Sequence, residues 1–392
     1  MKNKLKNILF LYRIYPNYGG VEVVTTVLAN RMVADGHHVT IVSIEQPHME
    51  LSAQLAKGID ILKLEYPVVS KSNVAKLHDV IVERDIDVLI NQWGLPYKTT
   101  ILCNRAIKGT KCKLFSVLHG SPYTSKVVIK AQDKYKNASS FIAKYLAYVE
   151  LKAKEAVIRW SIRYNIRHNQ KYILLSHAFV KPLLEYARVR KASNVTAIGN
   201  PITIDVNLKN FDLENKKKQV LYVGRMDFEN KRVNRIVDAW KTLYSDFPEW
   251  ELFLVGDGPH KEELMSYVEK NNIERVKFEG FKKDPPIKYY NDASIFMLTS
   301  DLEGFGLVIV ESMAYGVVPI VYGSYEAVYD IIDDGVNCFI TPMPYSNDIT
   351  IERMKELMLD KEKRLKMARA AMIKSQKFSL DTVIKRWYSE IL

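Results

Sequence analysis

The residues best placed to do chemistry are two carboxylates in the run Glu303-Gly304-Phe305-Gly306-Leu307-Val308-Ile309-Val310-Glu311, with seven residues between them. The first falls in a glycine-rich loop after the apolar run Ile295–Leu298, and the second falls inside the helix expected next. Eight positions are a little over two helical turns, so Glu311 returns toward the side on which the loop opens. Amides of Gly306 and Leu307 at the start of that helix can bond phosphate oxygens. A carboxylate in reach of a ribose can accept two hydroxyl donors. Val223-Gly224-Arg225-Met226 follows another apolar run, with Lys231 six residues after Arg225. A guanidinium fork and an ammonium near a strand end and a helix start suit a diphosphate.

Other turns have weaker chemistry. Gly19-Gly20 lies between the apolar run Ile8–Tyr12 and an amphipathic run from Val21 to Ala34, where a backbone can come close to an anion. Val255-Gly256-Asp257-Gly258-Pro259 reads as a second strand-to-helix turn, and His119-Gly120 ends the run Leu114–Leu118. No G-x-G-x-x-G follows the first strand of either half, which argues against a nicotinamide dehydrogenase. Asp85-Ile86-Asp87 abuts a strand and reads as a polar strand start, not a metal site. No metal is expected. Cys103, Cys112 and Cys338 form no C-x-x-C pair, and so sparse a set suits a reducing cytoplasm.

These residues need elements to carry them. Short apolar runs alternate with amphipathic runs through the chain, the βαβ pattern of a parallel sheet. Strands are expected at Ile8–Tyr12, Val39–Ser43, Ile59–Leu64, Val88–Asn91, Leu114–Leu118, Tyr172–Leu175 and Val195–Ile198. A polar run after Asn200-Pro201, ending in Lys216, Lys217 and Lys218, separates a second alternation. Its strands are Val220–Val223, Glu251–Val255, Val276–Glu279, Ile295–Leu298, Val318–Val321 and Cys338–Ile340. Its helices are expected near 231–246, 259–270, 305–315, 325–332 and 349–374. The last helix, Leu380 to Leu392, aligns Val383, Ile384, Trp387 and Ile391 on one face. The 392 residues therefore read as α/β: a Rossmann-like domain over 1–200, a second over 201–375, and a final helix over 376–392. Ligand is expected where the carboxyl ends of the two sheets can meet.

Charge divides along the same line. Residues 1–200 hold 30 Lys+Arg against 14 Asp+Glu, and the remainder holds 27 against 31. The densest basic stretch, about 126–170, carries Lys126, Lys130, Lys134, Lys136, Lys144, Lys152, Lys154, Arg159, Arg163 and Arg167 against Asp133, Glu150 and Glu155. It contains no Pro or Gly, and Phe141, Tyr145, Tyr148, Val157, Trp160 and Tyr164 interleave. Two readings stand: a basic amphipathic helix lying on an anionic membrane, or a solvated insertion whose apolar face packs on its own domain. No nucleic-acid-binding motif accompanies the charge, so no nucleic acid partner is expected. The start, with its apolar run ILFLY, looks like a leader but is broken by Arg13 and lacks a small-residue cleavage site, so it reads as a strand. No run of 18 apolar residues occurs.

Taken together, Gly19-Gly20, His119-Gly120, Asn200-Pro201, Gly224-Arg225 with Lys231, Gly256-Asp257-Gly258 and the E-x7-E motif resemble the retaining, nucleotide-sugar-dependent glycosyltransferases of family 4. The resemblance runs over essentially the whole chain. It implies a GT-B arrangement, two Rossmann-like domains facing across a cleft, with the C-terminal helix crossing back to the first domain. It also implies roles. Arg225 and Lys231 would neutralise the donor diphosphate, Gly306 and Leu307 would give it amides, and Gly19 and Gly20 would border it. Phe305 and Gly224 belong to the same donor-binding motifs. Glu303 and His119 would stand at the reaction centre, and Glu311 would hold the ribose. The donor would be a nucleotide sugar, UDP-linked by preference, used without a cofactor or metal. The acceptor would be a glycan or a lipid-linked molecule of bacterial cell-surface polysaccharide or glycolipid synthesis. Cytoplasmic localisation, with or without attachment to the inner membrane face, follows from the same comparison. Two departures touch the fine geometry: Arg232 follows Lys231 where many members have Gly, and Gly323-Ser324-Tyr325-Glu326 replaces a double-glycine turn. Rival readings are a sugar-nucleotide epimerase of the same fold and a non-catalytic sugar-nucleotide-binding protein.

Overall fold

The computed structural model describes residues 5–121, 125–209 and 211–392; of Lys126, counted above in the basic stretch, the side chain lies outside the described residues, as do residues 1–4 of the leader-like start. The chain divides into two units, Met1–Asn200 with Val383–Leu392, and Pro201–Thr382.

The first unit is built on a seven-stranded parallel sheet. Its strands are β1 (Asn7–Ile14), β2 (His38–Glu45), β3 (Asp60–Lys63), β4 (Val88–Asn91), β5 (Lys113–Leu118), β6 (Lys171–Leu174) and β7 (Val195–Ala197). Their order in the sheet is β3-β2-β1-β4-β5-β6-β7. Parallel sheets bury both faces, which is why these strands are continuous apolar runs and not alternations. All four residues of β4 are buried, as are Ile8 to Tyr12 of β1. One core layer gathers Leu9, Leu11, Val42, Leu77, Ile81, Leu89, Leu102 and Cys103, under helices Lys71–Glu83 and Tyr97–Ala106 that the apolar alternation alone does not mark.

The second unit has a six-stranded parallel sheet: β8 (Gln219–Val223), β9 (Glu251–Val255), β10 (Val276–Gly280), β11 (Ile295–Leu298), β12 (Val318–Tyr322) and β13 (Phe339–Thr341). The order is β10-β9-β8-β11-β12-β13. In both sheets the chain winds outward from a central strand, then returns to that strand's other side. The switch points lie between β1 and β4 and between β8 and β11, and such a crevice at the carboxyl ends is where doubly wound sheets take ligands.

Helices depart from expectation at identifiable residues. The helix expected over 349–374 is two, Asn347–Leu359 and Lys361–Ser375, because Asp360 leaves helical geometry and caps the second by accepting from the Lys363 amide at 2.8 Å. The helix expected over 231–246 is Val233–Leu243, which leaves Lys231 in the preceding loop. The helix expected over 325–332 shrinks to Val328–Ile331. The basic stretch is a helical hairpin, Lys126–Lys136 and Phe141–His168, the second helix capped by Ser140 accepting from Ala143 at 3.2 Å. The final helix spans Leu380–Ile391 and buries Val383, Ile384, Trp387 and Ile391. Its residues from Val383 belong to the first unit, where Tyr388 donates to Asp35 at 2.7 Å and Glu390 pairs with Lys171 at 3.3 Å.

Candidate active site

The carboxyl ends of β8 and β11, neighbours at the switch point of the second unit, carry most of the residues singled out from the sequence. After β8 the chain runs through Gly224 and Arg225 to Asp227, which is 2 % exposed. Asp227 organises this loop. One carboxylate oxygen accepts from the amides of Asn230 (2.7 Å) and Lys231 (2.8 Å), and the other accepts from the Arg225 guanidinium at 2.7–2.8 Å. Burial alone would raise its pKa, but these amides and the guanidinium outweigh it and hold the carboxyl below its usual range. Asp227 therefore stays ionised and holds both cations of the loop in place, Arg225 by its side chain and Lys231 by its backbone.

The loop after β11 meets the β8 loop directly. Lys231 Nζ lies 2.5 Å from Glu303 Oε1, with the two side chains 23 % and 12 % exposed. The Asp301 amide donates to the Asn230 carbonyl at 2.7 Å, and the Asp301 carboxylate takes Arg232 at 2.5 Å and Arg235 at 2.6 Å. Arg232, the residue that stands where glycine is common in the resembled family, takes φ 51° in the left-handed region. Its ion pair with Asp301 helps hold a conformation that costs an L-residue about 1 kcal/mol.

Gly306 caps the next helix, Leu307–Ala314, at φ 89°. A Cβ there would lie 2.8 Å from Ile309 Cδ1 and 2.9 Å from the Tyr325 hydroxyl, so both backbone angle and space call for glycine. Among the described residues the amides of Gly306, Leu307 and Val308 have no acceptor, which leaves the helix start open to an anion. Phe305 is buried and packs edge-on against Phe378 at 5.6 Å. Glu311, one helix turn farther in, is 6 % exposed. Its oxygens accept from Thr203 Oγ1 at 2.6 Å and from the Tyr290 hydroxyl at 3.1 Å. Burial raises its pKa, and the two donors oppose the rise. Each oxygen keeps a second lone pair for a further donor.

The Gly256-Asp257-Gly258 turn has a packing role. A Cβ on Gly256 would fall 1.9 Å from the Gly224 carbonyl oxygen, and one on Gly258 would fall 2.3 Å from that of Met226. The glycines let the loop after β9 lie backbone to backbone against the Arg225 loop, joined by Met226 donating to the Asp257 carbonyl at 2.9 Å.

The first unit has its own cluster, around its own switch point. Gly19 caps the helix Gly20–Ala34, and a Cβ on it would come 2.1 Å from a Glu22 carboxyl oxygen. Burial raises the pKa of Glu22. His119, after β5, directs Nε2 at Gln92 Oε1, 2.5 Å away at the end of β4. Gln92 in turn donates its amide to Thr25 Oγ1 at 3.2 Å, and Thr25 meets the Tyr12 hydroxyl. In this orientation of the Gln92 amide its oxygen faces His119, which puts the imidazole proton on Nε2. Nδ1 of His119 is buried and has no partner among the described residues. Burial pushes its pKa down to about 3. His119 is therefore a neutral imidazole with a bare Nδ1 acceptor.

Sequence spacing brings out Arg225, Lys231, Glu303, Gly306 and Glu311 but not Asp227 or Gln92. Asp227 could have been found as the acid two residues past Arg225 and four before Lys231. Gln92 lies 27 positions from the histidine it orients, and only the β4–β5 pairing brings them together. Glu22 was not singled out either, though it stands two residues beyond the Gly-Gly turn. No group of three or more His, Cys, Asp or Glu among the described residues is arranged to hold a metal ion.

Two parallel-sheet α/β units and a second-unit switch point lined by cations, acids and open amides define a glycosyltransferase of the GT-B type. The chain belongs to the family 4 glycosyltransferases: the model of Glycosyltransferase Family 4 matches residues 18–206, and that of Glycosyl transferases group 1 matches residues 204–373. An uncharacterized glycosyltransferase of Haemophilus influenzae is 24% identical over 98% of this chain and 99% of its own. A lipopolysaccharide 1,6-galactosyltransferase of Salmonella typhimurium is 30% identical over 38% of this chain and 43% of its own length. The Anabaena protein HepE, solved with UDP and glucose, superposes with a TM-score of 0.73 at 20% identity, over 98% of each chain.

Proposed function

We propose that this enzyme moves a sugar, with retention of anomeric configuration, from a nucleoside diphosphate donor to a glycan or lipid-linked acceptor. UDP is the preferred carrier. The cell-surface polysaccharide or glycolipid setting, on the cytoplasmic side, follows from the same reading. The observation that carries it is the Lys231–Glu303 contact at 2.5 Å, beside Asp227-anchored Arg225 and the open amides at Leu307. UDP complexes of HepE and the galactosyltransferase relative support the choice of donor class.

Breaking the bond from the sugar C1 to the diphosphate oxygen leaves positive charge on the sugar ring and negative charge on the departing phosphate. Arg225 offers a fork and Lys231 a point charge, and each keeps donors beyond those used within the protein. With the helix amides they stabilise the leaving diphosphate through the chain's own groups, with no metal required. Glu303 faces the opposite charge. A carboxylate engaged by an ammonium at 2.5 Å is a weak nucleophile, so its role is to steady the oxocarbenium-like ring electrostatically. Glu311 accepts the ribose hydroxyls while Thr203 and Tyr290 orient it. His119 presents its neutral Nδ1 to a sugar hydroxyl.

A panel of UDP- and GDP-sugars, scored by nucleotide release and by mass analysis of products, tests this. Transfer from a UDP-sugar, unaffected by EDTA and reduced at least 100-fold by Lys231→Ala and by Glu303→Gln, is expected. Near-normal turnover in both folded variants defeats the assignment. Nucleotide-sugar consumption without an acceptor product returns the epimerase reading.

A further inference from the structure

We infer that the outward face of the helix Phe141–His168 is a docking surface for an anionic lipid bilayer, on which the helix lies flat. The inference is independent of the donor assignment, and either can fail alone.

The helix has 28 residues, about 42 Å of length. Its inner face is fully used. Ala147, Leu151, Ser161, Ile162, Asn165 and Ile166 are buried. Leu151 packs with Val128 and Ala131 of the neighbouring helix in a small core flanked by Tyr135 and Ile158. Farther along, Ser161 donates to the Leu95 carbonyl at 2.6 Å and Asn165 to the same oxygen at 3.1 Å. These contacts fix which way the helix faces, so its other side is not waiting to fold onto its own domain.

That other side is apolar. Phe141 is 87 % exposed, Ile142 73 %, Leu146 62 % and Tyr145 61 %. Val149, Val157 and Trp160 continue the exposure. At 100° per residue, Ile142, Tyr145, Val149, Ala156 and Trp160 fall on one arc, with Leu146 and Val157 beside it and Arg163 and Arg167 continuing it at the C-terminal end, so the exposure is a stripe and not scatter. Single exposed apolar residues need no explanation, but a contiguous stripe on a fixed helix does.

Cations border it. Lys130, Lys136, Lys144, Arg163 and Arg167 have no ion pair among the described residues; Lys144 lies over the Tyr135 ring at 5.6 Å. The acids nearby are largely neutralised: Glu150 by Lys134 and Lys154, Glu155 by Lys152 and Arg159. Asp133 is the exception. Trp160 and Tyr164, 5.3 Å apart, have the amphipathic rings that favour a headgroup layer. A second copy of the chain would bring two positively charged hairpins together, and a nucleic acid gives no reward for burying Phe, Ile and Leu. An anionic bilayer satisfies both the stripe and its charges.

Flotation of the full-length protein with vesicles of phosphatidylcholine alone, and of phosphatidylcholine mixed equally with phosphatidylglycerol, tests the inference. Binding at least tenfold greater on the mixed vesicles is expected, weakened but not abolished by salt. Phe141→Asp with Leu146→Asp is expected to reduce it at least tenfold while circular dichroism and UDP binding are unchanged. Equal binding to both vesicles, unchanged binding by the double variant, or a dimer that this variant splits in the absence of lipid would overturn it.

Discussion

His119 and Gln92 show what a single hydrogen bond decides. With Nε2–H committed to Gln92 and the imidazole pushed down to about 3, His119 does not charge at neutral pH. The unfolded chain, with an ordinary imidazole near 6.5, binds a proton that the folded chain refuses as pH falls below that value. Stability is thus expected to fall from about pH 6.5 toward pH 3, and His119→Gln to flatten that slope. Urea unfolding of both proteins across this range measures it, and identical slopes would show that the histidine titrates normally. The gathering of side chains was legible where motif and spacing coincide, as with Glu303, Arg225 and Lys231. Asp227 and Gln92 act through backbone amides and a neighbouring strand, and residue type alone does not announce that.

Elements were legible for a different reason. Buried parallel strands must be short apolar runs, so β4, β9 and β11 fall at the residues where the apolar runs place them. Helix ends were harder, since they depend on caps: Asp360 divides one expected helix and Ser140 starts another. The last helix shows how an element can hold a unit to which most of its neighbours in sequence do not belong. Trp387 is 4 % exposed within it, and Tyr388 packs on His37 at 5.1 Å. Trp387→Ala is expected to cost about 3–5 kcal/mol, with the loss confined to the first unit. Hydrogen exchange resolved by peptide checks this: protection should fall in β6 and β7 and hold in β8 to β13. A uniform loss would contradict the division of the chain.

At the scale of the molecule, charge separates a basic first unit from a mildly acidic second unit. The residues singled out for the donor gather at the β8/β11 switch point, while the unpaired cations of the helical hairpin sit in the other unit. The reaction class was legible because its motifs span both units, whereas the outward stripe of Phe141–His168 was not: periodicity gives an amphipathic helix, and only packing says which face is spare. The central claim is that Arg225 and Lys231 hold a diphosphate while Glu303 serves the sugar. Titration calorimetry of UDP against the wild type, Arg225→Ala, Lys231→Ala and Glu303→Gln tests it most directly. UDP affinity should drop at least tenfold, about 1.4 kcal/mol, in each cation variant and stay within about threefold in Glu303→Gln, a factor worth under 1 kcal/mol. Unchanged affinity in Lys231→Ala and Arg225→Ala would contradict the account.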